Sequence, residues 1–324
     1  MAGSAPSLRK PALSVVIPVY GRHGLARVAL ASVLAQDDVD LEVVLVLDEP
    51  VSSDGAASEW SWDPRVRVVA HGARRGAAAA RNTGVAEARA EVVAFLDADD
   101  EWLPGAAELL SRGLLSLPKD AVGLTGSFVL VGEGGRESIR RPCMTGGAGG
   151  SYASVAVRGC STAPGSTLAM RREQWLALGG EDELLERLED WDLLLRVAER
   201  DWWIASTPDI VARVRHSSRG PSPDAVERSC QAILARHLPW VQSRSDVLAR
   251  RLRATADYEV GLARLRHRRL AGSIFPLMKG VGGDPAARAP AAWRALERAA
   301  LRYGRPWANA RRVNAGDYAG FEDS

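Results

Sequence analysis

Residues 91–100 read EVVAFLDADD, an apolar run from Val92 to Leu96 that stops abruptly at Asp97, Asp99 and Asp100. A run this short, apolar at every position rather than alternately, is the pattern of a strand covered on both faces, as strands of parallel sheets are. The chain upstream has the same texture. Leu13–Val19 (LSVVIPV), Leu41–Leu47 (LEVVLVL) and Val66–Ala70 read as three more strands. Between them, Leu25–Leu34 carries apolar residues at helical spacing, and Gly76–Ala90 reads as a helix of small residues. Strands and helices in alternation build βαβ units, hence an α/β fold whose parallel sheet has helices on both faces. Ligands of such sheets sit beyond the carboxyl ends of the strands, and Asp48 and Asp97 stand at two of those ends.

The 324 residues, 46% of them hydrophobic, suffice for one large core or two modest ones, which excludes a disordered chain. A net charge of +2 gives no reason to expect nucleic acid as a partner. The total conceals an asymmetry. Residues 1–220 hold 24 basic and 30 acidic side chains, and residues 221–324 hold 18 and 10, so two regions are expected. The tract SSRGPSP at 217–223 marks the break between them, and helices are expected beyond it over 225–238, 246–270 and 290–303. Arginine supplies nearly all the positive charge, since Lys10, Lys119 and Lys279 are the only lysines. Cys143, Cys160 and Cys230 form no CxxC pair, so neither zinc nor a redox dithiol is expected, and a reduced interior fits. The N-terminus has no signal-peptide pattern and no stretch reaches the ~18 apolar residues of a membrane span. The expectation is a cytoplasmic protein, at most peripheral at the inner membrane face.

From residue 121 the texture changes. Val122–Val131 and Gly165–Met170 read as strands, Gly132–Gly150 as a Gly- and Arg-rich connection, and Arg171–Leu178 as a short helix. A further helix begins near Glu189, where Asp190, Leu193, Leu194 and Val197 fall on one face. A carboxylate within an apolar stripe is costly unless it is paired or working, which singles out Asp190. Asp192 and Arg196 are spaced as an i, i+4 pair, expected on the exposed face. Trp191 either packs in the core or stacks on a sugar ring.

Asp97 and Asp99, alternate residues of an extended segment, point the same way and offer hard oxygen donors for Mg²⁺ or Mn²⁺ with a diphosphate completing the shell. Asp48 either caps a turn or accepts a hydrogen bond from a base edge, and Tyr20, after the first strand, is placed to stack on that base.

The blocks SVVIPVYGR, LVLDE, RRGAAAARNTG, EVVAFLDADDEWLPG, GSTLAMRREQWLALGG and LEDWDLLLR, in this order, resemble the family-2 inverting glycosyltransferases over roughly residues 13–216. A DxD followed about ninety residues later by a Glu-Asp pair is rarer than either motif alone. The resemblance implies a GT-A fold, a Rossmann-like and mostly parallel sheet flanked by helices, as a catalytic domain over 1–220, followed by a basic helical region over 221–324. It implies a nucleotide-sugar donor, held by Pro18, Tyr20, Asp48, Arg81, Asn82, Asp97 and Ala98. Asp99 would bind Mn²⁺ or Mg²⁺ directly, with Asp97 and His216 as further candidates, and Asp190 would be the catalytic base. Gly21 replaces the usual Asn, and Asp48-Glu49-Pro50-Val51 replaces the usual Asp-Asp-Gly-Ser, which leaves the nucleotide open, a UDP-sugar being favoured. The acceptor, whether saccharide, lipid, peptide or small natural product, is not legible.

Two other readings compete with this one. A sugar-nucleotide nucleotidyltransferase would carry a Gly-rich basic signature near the first strand, which IPVYGRHG matches poorly. A non-catalytic nucleotide-sugar-binding module would lack the base at 190. The basic tail is expected to pack on the catalytic domain, to form a homodimer, or to rest on anionic lipid.

Overall fold

The computed structural model describes residues 10–50, 60, 62–142, 152–159, 164–215, 222–267 and 270–283. The apolar runs form the expected strands. In chain order come β1 (Leu13–Val19), α1 (His23–Leu34), β2 (Leu41–Leu47), β3 (Val66–Ala70), α2 (Ala77–Glu87) and β4 (Val92–Phe95). They are followed by β5 (Glu101–Trp102), α3 (Ala106–Leu115), β6 (Ala121–Val131) and β7 (Glu137–Arg140). Two single-turn helices come next, α4 (Ala153–Ala156) and α5 (Pro164–Thr167), then β8 (Leu168–Arg171), α6 (Arg172–Leu178), α7 (Glu189–Glu199) and β9 (Trp203–Arg215). The chain continues with α8 (Pro223–Arg244), α9 (Asp246–Arg266) and α10 (Leu270–Gly283).

The nine strands among the described residues form one sheet in the order β3-β2-β1-β4-β8-β6-β9-β5, with β7 on β6. The β3-β2-β1-β4 half is wholly parallel. The other half is mixed: β8 runs antiparallel to both β4 and β6, while β6 and β9 pair in parallel. Strand order reverses between β1 and β4, and this switch point opens a crevice at the carboxyl ends of the strands. Tyr20 and Asp48 directly follow two of those ends, and Asp97 follows a third one residue further on.

Alternation along each strand divides the core between the two faces of the sheet. Val16, Val93 and Phe95 pack on one face with α2, α6 and α7, whereas Val15, Ile17 and Ala94 pack on the other with α1 and α3. The first face does not stop at the sheet's own helices. Val226, Cys230 and Ile233 of α8 and Leu252, Ala256 and Val260 of α9 belong to the same continuous core as Leu194 of α7. β2 contains one acid, Glu42, and it is fully buried. It accepts from Ser14 Oγ (2.6 Å) and from Arg89 Nε and the Arg89 backbone N–H (2.7 Å each). Those bonds outweigh the burial that opposes ionisation, so its carboxyl lies below the usual glutamate range.

Four expectations from the sequence are corrected. Gly165–Met170 is not one strand: its first half is the turn of α5, because the pairing of β8 extends only to Val92–Ala94 on β4 and Gly123–Thr125 on β6. The helix expected over 246–270 ends at Arg266, and α10 follows as a separate helix with Pro276 inside it. The Gly132–Gly150 connection contains β7, on the edge of β6. The Asp192–Arg196 pair exists, with Arg196 Nε donating to Asp192 Oδ2 at 2.7 Å, but it is buried beneath α8 rather than exposed. Helical spacing says which residues share a face, not what will cover that face. Trp191 takes its core alternative: it is fully buried, and its indole N–H donates to the Ala156 carbonyl at 2.8 Å. His216, Cys143, Cys160 and residues 290–303 lie outside the described residues.

Candidate functional site

The β4 strand delivers Asp97 and Asp99 to the crevice, and a turn closed by the Asp100 N–H on the Asp97 carbonyl (3.0 Å) brings the third aspartate beneath them. The turn rests on α5. Asp97 N–H donates to Ser166 Oγ (3.2 Å), Ser166 Oγ donates to Asp100 Oδ2, and Arg215 N–H donates to Asp100 Oδ1 (2.8 Å). A Cβ on residue 165 would lie 2.3 Å from Asp97 Oδ2, so any larger residue there would displace the Asp97 carboxylate. Sequence reading missed Gly165 and Ser166; the Pro164-Gly165-Ser166 turn triplet was the available signal.

Carboxylates outnumber cations at this corner. Burial, the Asp97 charge and the Asp99 charge push the Asp100 carboxyl up to about 7, against hydrogen bonds from Ser166 and the Arg215 N–H. Burial and Asp97 also raise Asp99, opposed by the Arg22 guanidinium, which is ion-paired to Asp99 Oδ2. Among the described residues, no group of three or more His, Cys, Asp or Glu side chains is arranged to hold a metal ion.

Arg81, on α2, joins this corner to the start of α7. It is buried, and its guanidinium donates to Asp97 Oδ1 (2.9 Å) and to Glu181 Oε2 (2.9 Å), with Glu189 Oε1 at 3.5 Å. Glu181 was invisible to sequence reading because the loop between α6 and α7 has no periodicity; its only signal was Gly179-Gly180, a helix-stop pair. Both glycines adopt positive φ, 81° and 72°. Asn82 clasps the same loop, donating from Nδ2 to the Glu181 carbonyl (2.8 Å) and accepting the Glu181 N–H on Oδ1 (2.9 Å). Burial raises the Glu181 carboxyl, helped by Glu189 and Asp190 and opposed by Arg81.

Glu189 and Asp190 occupy the first turn of α7, where the helix dipole favours acids. Leu188 enters that turn at φ 63°, a left-handed conformation that a branched residue adopts only under constraint from its surroundings. Asp190 Oδ1 accepts the Trp191 N–H (2.7 Å), and Asp190 also lines a cavity of about 210 Å³ between α7, α8 and α9.

Beyond β1, Tyr20 is 52% exposed, and the Arg74 guanidinium stacks 4.3 Å from its ring centroid. Asp48 is buried. It accepts from His71 Nδ1 (2.8 Å) and from the backbone N–H groups of Arg75 (2.7 Å) and Gly76 (2.8 Å), which fastens the loop leading into α2. Pro18 pairs in register with Val46 inside β1, and Ala98 is half-buried between the two aspartates. The structure therefore gathers Tyr20 and Asp48 at one side of the crevice, and ties Asp97, Arg81 and the Glu189-Asp190 turn together at the other.

A model of the family described as Glycosyl transferase family 2 matches residues 14–173. Residues 14–173 belong to that family. The succinoglycan biosynthesis protein ExoO of Rhizobium meliloti is 37% identical over 100 residues, 31% of this chain and 29% of that protein. An uncharacterized glycosyltransferase of Haemophilus influenzae is 25% identical over 198 residues, 58% of this chain and 62% of its own length. The chain thus spans less than two thirds of these family relatives. Two solved structures share the fold. S. aureus TarS 1–349 in complex with UDP has a TM-score of 0.57 at 15% identity, covering 90% of this chain and 92% of that one. The mannosyltransferase PcManGT of Pyrobaculum calidifontis, in complex with GDP-Man and Mn²⁺, has a TM-score of 0.52 at 22% identity, covering 92% and 82%. The α/β fold of family 2, with its C-terminal helices, is therefore the fold of this chain. No described helix is long and apolar enough to cross a membrane.

Proposed function

We propose that the chain is a metal-dependent, inverting glycosyltransferase that moves a sugar from a nucleotide-diphosphate sugar, a UDP-sugar being favoured, to an acceptor hydroxyl, with Asp190 as general base. The observation that carries this reading is the Arg81 bridge. Two acidic motifs about ninety residues apart meet through one buried guanidinium, with Asp97 on one side and Glu189, next to Asp190, on the other.

The donor set at the end of β4 fits a hard divalent ion. It is made of carboxylate oxygens, Asp99 is raised by burial and by the charge of Asp97, and the Arg22 guanidinium supplies positive charge at the same carboxylate. Asp99, with Asp97, would hold Mn²⁺ or Mg²⁺, which when bound offsets the negative charge gathering on the departing diphosphate. On the other side of the sugar the acceptor oxygen attacks the anomeric carbon. Its bond to that carbon forms as the bond to the diphosphate breaks, the electron pair leaves with the nucleoside diphosphate, and the hydroxyl proton passes to the Asp190 carboxylate. A single displacement from behind inverts the anomeric configuration. Tyr20 and Asp48, at the far side of the crevice, orient the nucleotide, so that the sugar is held before reaction.

The test is thermal melting with UDP-, GDP- and dTDP-sugars, with and without Mn²⁺. A donor at 100 times its Kd should raise stability by about 2.7 kcal/mol, the rise should require the metal, and Asp99→Ala should lose it. Proton NMR of the product should report the inverted anomer. Melting that no sugar nucleotide changes, or an Asp99→Ala variant that responds like the parent, overturns the reading.

A further inference from the structure

We propose that the cavity at the start of α7 receives the acceptor, and that the acceptor unit it takes carries an anionic group, phosphate or carboxylate, beside the hydroxyl to be glycosylated. The proposal rests on the reading of Asp190 as the base and adds the chemical class of the acceptor.

Asp190 lines this cavity, so a molecule within it lies against the carboxylate that would take its proton. At about 210 Å³ the cavity is smaller than the roughly 300–1,000 Å³ of pockets for drug-sized ligands, which suits one sugar or polyol unit rather than a long chain. The far wall comes from the C-terminal helices. Glu259, Ala263 and Arg266 share one face of α9 at helical spacing, and Val226 of α8 adds an apolar surface.

Among the described residues, the charged side chains left without a partner in this lining are its two arginines. Each of its acids is already engaged: Glu189 lies 3.5 Å from the Arg81 guanidinium, Asp190 accepts the Trp191 N–H, and Glu259 has an interaction of its own. The cations are divided differently. Arg228 and Arg264, at neighbouring positions on α8 and α9, are spent on Glu186 and Glu227. Arg187 and Arg266, which line the cavity, have no ion-pair partner among the described residues. Each of these two guanidiniums offers a fork of donors that matches phosphate or carboxylate oxygens and that a neutral sugar would leave unanswered.

The full chain is examined by saturation-transfer NMR with glycerol 1-phosphate, glucuronate and, as the neutral control, methyl glucoside. An anion signal at least tenfold stronger than that of methyl glucoside, and lost in the Arg187→Gln/Arg266→Gln double variant, supports the proposal. Response to glycerol 1-phosphate alone assigns a phosphate acceptor, and response to glucuronate alone a carboxylate one. Both residues are exposed, so the variant should fold, and its far-UV circular dichroism is the check. Equal signals from all three probes, no anion signal, or an anion signal that survives the double substitution overturns the proposal. A UDP-hexose in the same samples reports the donor side separately: its failure to bind the parent chain would sink the proposed function while leaving the anion result readable.

Discussion

Two buried aspartates, Asp100 and Asp192, are held in opposite ways. At the end of β4, Asp100 sits below Asp97 and Asp99, receives neutral hydrogen bonds from Ser166 and the Arg215 N–H, and is pushed up to about 7. At the α7–α8 contact burial also opposes ionisation, yet Asp192 is held down to about 2 by His237, Arg196 and Arg236 around it. His237 Nε2 meets Asp192 Oδ1 at 2.9 Å, its Nδ1 meets Glu199 at 2.6 Å, and Arg236 spans Asp192 (2.7 Å) and Asp182 (2.6 Å). The first cluster is short of positive charge where a ligand could bring it, and the second is saturated from within. On the proposed reading one is a place to bind, and the other is a rivet between the sheet's helices and the C-terminal ones.

The comparison can be broken at either cluster or at Asp190, the proposed base. The largest effect is expected from Asp190→Asn, which should lower kcat about 10²–10⁴-fold with donor affinity retained, since general-base catalysis contributes in that range. Steady-state rates with a titration of the nucleotide sugar check it; an unchanged rate removes Asp190 from the mechanism. Next, Asp192→Ala should cost about 3–5 kcal/mol, because Arg196, Arg236 and His237 would be left facing one another around an uncompensated site. Urea unfolding of parent and variant measures that loss, and a cost below 1 kcal/mol would mean that the cluster does not hold the two regions together. The smallest effect is acid sensitivity. With a folded value of about 2 against an ordinary 3.8, Asp192 contributes stability that is fully present above pH ~4 and is lost as pH falls towards 2, about 2 kcal/mol in all. The facing groups are His237, Arg196 and Arg236, with Glu199 behind His237 and Asp182 behind Arg236. Stability curves of the parent and Asp192→Asn should converge across that window. Parallel curves would show that Asp192 is not the group being titrated.

The parallel half of the sheet was legible because burial on both faces writes itself as continuous apolar runs, and the acids that end those runs mark the crevice. Asp97, Asp99 and Asp190 stood out for the same reason, being carboxylates placed against apolar surroundings. What escaped was set by tertiary contact. Glu181 and Ser166 lie in segments without periodicity and matter only through what the fold brings to them. The cover over Asp192 depends on α8, more than thirty residues further along the chain. Glu42 is the mirror case, a lone acid inside LEVVLVL whose partners Ser14 and Arg89 come from a neighbouring strand and a distant loop.

The core shared by α7, α8 and α9 bears on how such proteins could be recombined. The segment matching the family ends at residue 173, whereas Asp190 and the helices that wall its cavity come later. On the proposed reading, a chimera joined at that seam would inherit donor preference from its front parent and acceptor preference from its rear one. Arg81 would keep Asp97 from its own half but would need, in the foreign half, an acid to replace Glu181.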